Sequence, residues 1–453
     1  MKVRIDLNTR FERYTHSTFV LPMTIFVLVN VLLLMHAATA QTVDIYEGIK
    51  KGTWKPNKIA VSDFKVTGQL SLAADSLAKA LQKVVTDDLD FHIFFDTIPK
   101  SQFYLDVWEI KEITPEIWQR MGAEYLVEGD VEIAGNDVKV VYRIYDLKGR
   151  INELTSEKLS TSITNHRRLA HMISDAAVEH IAAEKGFFTT RIAYVSSVTG
   201  TKELYLCDYD GANSIRITDD KTLNLSPAWD RKDERLLFTT YRTGRMEVWE
   251  RDVRTGKSQA ISAYQGSNNA AEVSPDNSEV VITLSKDGNS ELYVIDRKGK
   301  IKRRLTQLPS IEVSGTWSPT GREIAFASDR SGQPQIYIMD SEGFGVTRLT
   351  YEGKYNDSPR FSPKGDVVVF VSRGEDGKFQ VCTIDVTGQN FIRLDQTGSN
   401  ENPHWSPDGW HLVFCKYQGK TNDLYIMDRY SQKIKKITSD GKSSNPAWQP
   451  YIP

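Results

Sequence analysis

His171, Asp175 and Glu179 stand four residues apart, the spacing that puts side chains on one face of a helix, where an imidazole and two carboxylates could hold a divalent metal. No second histidine pair and no His-Glu-x-x-His run accompanies them, so the spacing reads as a solvated helix face. Asp208-Tyr-Asp210-Gly-Ala-Asn213 resembles the start of a calcium loop. It lacks the remaining ligands and the closing bidentate glutamate, and it reads as a turn. After residue 189 the only histidines are His404 and His411, too few for a metal cage. Gly-x-Ser-x-Gly is absent, so no hydrolase nucleophile elbow is encoded and a propeller-capped serine peptidase is excluded. Cys207, Cys382 and Cys415 are too sparse for a disulfide framework and read as small buried apolar residues. None of these residue sets carries a recognisable catalytic, cofactor or metal motif.

The elements that position these groups belong to a 453-residue chain, 40% hydrophobic and 26% charged, enough for two or three cored domains. A net charge of −2 lacks the basic excess of a phosphate-gripping surface, which argues against nucleic acid.

Lys2, Arg4, Arg10 and Arg13 precede an apolar run from Phe19 to Met35, followed by Ala38-Thr39-Ala40. This is the order of a secretory signal over residues 1–40, with the cut between Ala40 and Gln41. An uncleaved anchor is the other reading, disfavoured by Pro22 and Asn30 within the run. No cysteine stands near the cut to carry a lipid. The exported product would have a net charge of −4.

The C-terminal half repeats. An aspartate closing an apolar strand recurs at Asp208, Asp252, Asp296, Asp340, Asp385 and Asp428, at intervals of 44, 44, 44, 45 and 43. A second anchor, usually followed by Ser-Pro, recurs at Trp229, Val273, Trp317, Phe361, Trp405 and Trp448 with the same period. Each unit reads as four short strands that cannot bury both faces alone, and radial stacking of such units gives a propeller. The first unit, opening at Arg191, lacks a Trp-Ser-Pro strand, and Asn445 to Pro450 is such a strand without a unit. Joined, they make one blade and close a six-bladed ring over residues 189–453. The aromatic anchors are expected between blades.

Residues 57–188 read as a mixed α+β domain. Ser71 can cap a helix carrying Leu72, Leu77, Leu81, Val84 and Val85, and Thr114-Pro115-Glu116 opens a second. Ala134-Gly-Asn-Asp137 joins a hairpin, and Arg167 to Lys185 is a third helix ended by Gly186. The fold class expected is therefore two-domain: mixed α+β, then an all-β six-bladed propeller closed by the C-terminal strand.

Gly122-Ala-Glu-Tyr-Leu-Val-Glu-Gly129, Arg143-Ile-Tyr-Asp146, the run Arg168 to Asp175 and above all Gly186-Phe-Phe-Thr-Thr-Arg-Ile-Ala-Tyr-Val195 resemble the TolB family, as does the order of parts. The resemblance implies a monomeric periplasmic adaptor of the Tol-Pal system, a binding protein without catalysis, cofactor or metal, serving outer-membrane integrity and envelope constriction during division. It implies binding of the lipoprotein Pal at one propeller mouth and of TolA through residues 41–56, and leaves room for other outer-membrane lipoproteins or porins. TolA would be met by strand addition of Val43, Asp44, Ile45, Tyr46 and Glu47; the competing reading is a terminus packed on its own sheet. For the mouth, the residues just before each innermost strand are Asn268, Asn269, Glu312, Asn356, Asp357, Asn400, Glu401, Asn402 and Asn445, a polar ring suited to a protein partner. The same residue types also simply make turns. An envelope glycan-binding or lyase-type propeller is the alternative function.

Overall fold

The computed structural model describes residues 54–68, 70–99, 114–395 and 397–452. Ala40, Gln41 and the segment Val43 to Glu47 lie outside the described residues. From Pro56 onward the chain forms one compact unit. Among the described residues no helix is long and apolar enough to cross a membrane.

The α+β part is built on one sheet of six strands. They are β1 (Asn57–Val61), β2 (Lys65–Val66), β3 (Phe95–Thr97), β4 (Tyr125–Ala134), β5 (Asp137–Asp146) and β6 (Asn152–Ser162), in the order β3-β1-β4-β5-β6 with β2 beside β4. β1 runs parallel to both β3 and β4, which demands a crossover, and the helix Leu72–Phe91 supplies the one between β1 and β3. Ser71 caps that helix by accepting the Ala74 amide, as expected. Because β1 is covered on both sides, its run Ile59-Ala60-Val61 is fully apolar. Trp118, on the short helix Pro115–Arg120, packs on Ala60, Leu126 and Leu147.

Two local expectations need correction. The third helix, His166–Ala182, ends at Ala183 in the left-handed region (φ 54°), not at Gly186. Gly186 is required elsewhere: a Cβ there would lie 2.3 Å from Asp175 Oδ1. The long strand β6 was not anticipated; it is an edge strand with most side chains exposed, so its sequence carries no clean alternation.

The rest is a ring of six four-stranded sheets. Ser443–Trp448 pairs antiparallel with Arg191–Ser196, matching Ser443 to Ser196 and Trp448 to Ile192, so chain-distant strands share one blade. Apolar clusters fill the spaces between consecutive blades; in one, Val281 and Leu292 of the third blade meet Trp317 and Phe326 of the fourth. The repeated tryptophans also bond across these spaces. Trp229 Nε1 donates to Ala447 O (3.0 Å), Trp317 Nε1 to Glu272 O (3.3 Å) and Trp405 Nε1 to Arg360 O (3.0 Å), each on the preceding blade.

The repeated aspartate has a structural cause as well. Asp296 Oδ1 accepts the amides of Lys298 and Lys300, and Asp340 Oδ1 those of Glu342 and Phe344, which winds a tight turn. The turn's glycine then presses on the neighbouring blade: a Cβ on Gly299 would lie 2.0 Å from Ile261 O.

Candidate functional site

The channel has two ends. At the end where the innermost strands finish, the propeller carries the α+β part. There Lys433 Nζ donates to the carbonyls of His92 (3.0 Å) and Phe95 (2.8 Å), Trp410 packs edge-on to Phe94, and Lys364 pairs with Glu184. We call this the docked face, and the end where the innermost strands begin the open face.

The nine polar residues of the expected ring lie within the innermost strands, not before them, because each of these strands carries a bulge. The bulge holds one non-glycine residue per blade at positive φ: Ser226, Ala270, Ser314, Ser358, Asn402 and Asn445, all lining the channel. Asn402 and Asn445 thus face the bore.

Asn268, Glu312, Asn356 and Asn400 are fully buried. Asn268 Oδ1 accepts from Ser262 Oγ (2.6 Å) and the Tyr264 amide (2.9 Å), while Nδ2 donates to Tyr264 O. Asn356 Nδ2 donates to Gln335 Oε1 and Glu352 O, and Asn400 Nδ2 to Asp395 O. Glu312 accepts from Ser310, Ser328 and Arg330. These four hold the loops of the open face in place, in line with turn-making rather than free partner contact.

Asn269, Asp357 and Glu401 are half-buried. Asn269 Oδ1 has no hydrogen-bond partner, and burial raises the carboxyl pKa values of Asp357 and Glu401. Such under-solvated polar groups gain from a donor brought by a ligand.

Sequence reasoning missed the apolar residues around them. Leu223, Leu308, Ile311 and Tyr351 precede innermost strands, Val198 sits in a hairpin of the same face, and all five are exposed, Tyr351 by 74%. The available signal was an apolar residue at a fixed phase of the repeat, since Leu223 and Ile311 each stand one position before a strand's first residue.

At the docked end a cavity of about 370 Å³ is walled by Trp229, Trp317, Trp405 and Trp448. Arg231 and Arg360 converge there on Glu272, at 3.6 and 3.2 Å. Burial, with the Arg360 charge adding to it, lowers the His404 pKa to about 3.

The face of His171, Asp175 and Glu179 is only partly solvated, which corrects the sequence reading. Glu179 is exposed, but His171 is 2% exposed and bonds Asp88 Oδ2 through Nδ1 at 2.8 Å. Tyr209 of the propeller donates to the other oxygen of Asp88 at 2.6 Å. Asp175 accepts the amides of Phe188 and Thr189, and burial raises its pKa to about 6. The covering groups are remote in sequence, so helical spacing could not reveal them. The three cysteines are buried, as expected.

The family model described as the TolB beta propeller domain matches residues 178–452, more than half of the chain. The chain belongs to the TolB family. The model of the TolB amino-terminal domain matches residues 46–151. Among curated relatives, the Tol-Pal system protein TolB of Rickettsia africae is 31% identical over 267 residues, 57% of this chain and 59% of its own length. That of Desulfosudis oleivorans is 32% identical over 229 residues, 49% and 52% respectively. The chain thus spans between half and three-fifths of the length of these curated relatives. The crystal structure of TolB from Acinetobacter baumannii superposes with a TM-score of 0.75 at 27% identity, covering 88% of this chain and 98% of that one.

Proposed function

We propose that this TolB family member is a non-catalytic periplasmic adaptor of the Tol-Pal system, exported by residues 1–40. In this reading the open face of the propeller receives a Pal-like outer-membrane lipoprotein, and residues 41–56 engage a TolA-like inner-membrane protein by strand addition. The proposed contact set on the open face is Asn269, Asp357, Glu401, Asn402 and Asn445 in the bore, with Leu223, Leu308, Ile311 and Tyr351 around it.

The observation that carries the reading is this pairing of an exposed apolar rim with poorly solvated polar groups at the end of the ring away from the α+β part. Interfaces combine such features, a few apolar anchors around polar groups that are satisfied on binding.

Titration calorimetry of the protein with the soluble domain of a cognate Pal-like lipoprotein tests it. Binding weakened by Glu401→Lys but retained after removal of residues 41–48 supports the assignment. Absence of binding by the intact protein overturns it and favours a glycan-binding propeller.

A further inference from the structure

The described residues contain two groupings of histidine with aspartate where the α+β part meets the propeller: His92, Asp408 and His411, all buried, and buried His171 with half-buried Asp208 and Asp210. In each, the ligand atoms lie within 4.8 Å of one another. Hydrogen bonding separates them.

In the first, the Phe94 amide donates to His92 Nδ1, so the ring proton of neutral His92 sits on Nε2 and neither nitrogen has a lone pair for a metal. Asp408 accepts from Ser406 Oγ and the Trp410 amide at Oδ1 and from His411 Nδ1 at Oδ2, which holds it within its own turn.

The second grouping is arranged the other way. His171 Nδ1–H donates to Asp88, which leaves the lone pair on Nε2. That Nε2 is buried and has no hydrogen-bond partner, in a side chain 2% exposed. Each of the three groups has its own orienting neighbour: Asp88 for His171, Arg167 for Asp210 Oδ2, and Asn213 Nδ2 for Asp208 Oδ2 at 2.7 Å. Metal ligands are held by outer hydrogen bonds in this way. The formal charge points in the same direction. Three carboxylates, Asp88, Asp208 and Asp210, face one guanidinium, Arg167, which leaves −2 when His171 is in the neutral form that can ligate an ion.

We propose that His171 Nε2 with the carboxylates of Asp208 and Asp210 forms a binding site for one divalent transition ion, of the Zn²⁺ or Mn²⁺ class. An imidazole nitrogen with two carboxylates suits these ions better than Ca²⁺ or Mg²⁺, which take oxygen alone. The donors need to close by about 1 Å to surround an ion at roughly 2.0–2.2 Å. Solvent completes the coordination from the Asp210 side. The ion ties the helix His166–Ala182 to the turn after the strand Glu203–Asp208, and so clamps the α+β part to the ring.

The test uses untagged, chelator-treated protein titrated with ZnCl₂ and with MnCl₂ by calorimetry. One equivalent per chain is expected, unaffected by excess Ca²⁺. His171→Gln and Asp208→Asn should each weaken binding at least about 10-fold, and Asp88→Asn, which alters only the outer shell, about 10- to 100-fold. His411→Gln should bind as the unaltered protein does. Should a variant fail to fold, electron paramagnetic resonance of the unaltered protein with one equivalent of Cu²⁺ decides, because a bound imidazole gives nitrogen hyperfine coupling. Absence of saturable binding, binding that survives both His171→Gln and Asp208→Asn, or a Cu²⁺ spectrum without nitrogen coupling overturns the site.

Discussion

Trp448 donates its indole N–H to Thr190 Oγ1 at 2.8 Å, joining the last strand of the ring to the segment by which the chain enters it. The equivalent tryptophans bond a carbonyl of the preceding blade, but here that blade offers His404 Nδ1, which receives the Trp448 amide. Trp448→Phe removes the indole bond and some packing at a buried site, and should cost about 2 kcal/mol in urea unfolding. Tyr451→Phe, whose hydroxyl donates to Lys185 O at an exposed position, should cost less.

Gly299→Ala is expected to be among the costliest single-methyl additions. The residue sits at φ 87°, and the new Cβ would meet the backbone oxygen of Ile261, which cannot swing aside as a side chain does. A loss of about 3 kcal/mol is anticipated. Gly288→Ala is the comparison: its φ is also positive, yet a Cβ there meets nothing within 4 Å. Paired thermal melts of the two variants separate the clash from the conformational strain they share.

On the open face, stability and binding should part company. Tyr351→Ser and Leu308→Ser alter exposed side chains and should leave unfolding within about 0.5 kcal/mol, while weakening capture of a Pal-like domain. Asn268→Ala should do the reverse, costing about 1–3 kcal/mol because it strips buried loop groups of their partner. Equal effects of both kinds on both readouts would show that the rim is not a separate contact surface.

The protein should lose stability on mild acidification. His404 titrates near 3 in the fold, and burial likewise lowers His92 well below its ordinary value, whereas an unfolded histidine titrates near 6.5. Between these values the unfolded chain binds more protons, so stability falls as pH drops below about 6.5. Asp175 works in the opposite sense: its pKa of about 6 lies above that of an unfolded aspartate, so its contribution grows as pH falls from 6 towards 4. His404→Asn should flatten the decline in calorimetric midpoint between pH 6.5 and 4.5, and an unchanged slope would remove His404 as its source.

The ring and its closure were legible in the sequence because two anchors kept one period, and each anchor has a local cause, a turn for the aspartate and an inter-blade bond for tryptophan. The edge strand β6 escaped because exposure on both faces leaves no alternation. The burial of His171 escaped because Asp88 and Tyr209, which cover it, come from another helix and another part of the chain. At the open face, composition located the polar positions but could not divide them. Asn268 and Asn269 are adjacent and identical in type, yet one is locked into a loop and the other carries an oxygen without a partner. A strand's alternation decides that, and the bulge fixes its phase.

The blade shared by Arg191–Ser196 and Ser443–Trp448 also sets a timetable. The first of these strands leaves the ribosome roughly 250 residues before its partner, which at about 5–20 residues per second is a wait on the order of tens of seconds. During that interval Arg191–Ser196 keeps a bare edge, open to pairing with other chains. Ring closure is thus a late event of long reach, and a nascent product cut short before Ser443 would carry that sticky edge permanently.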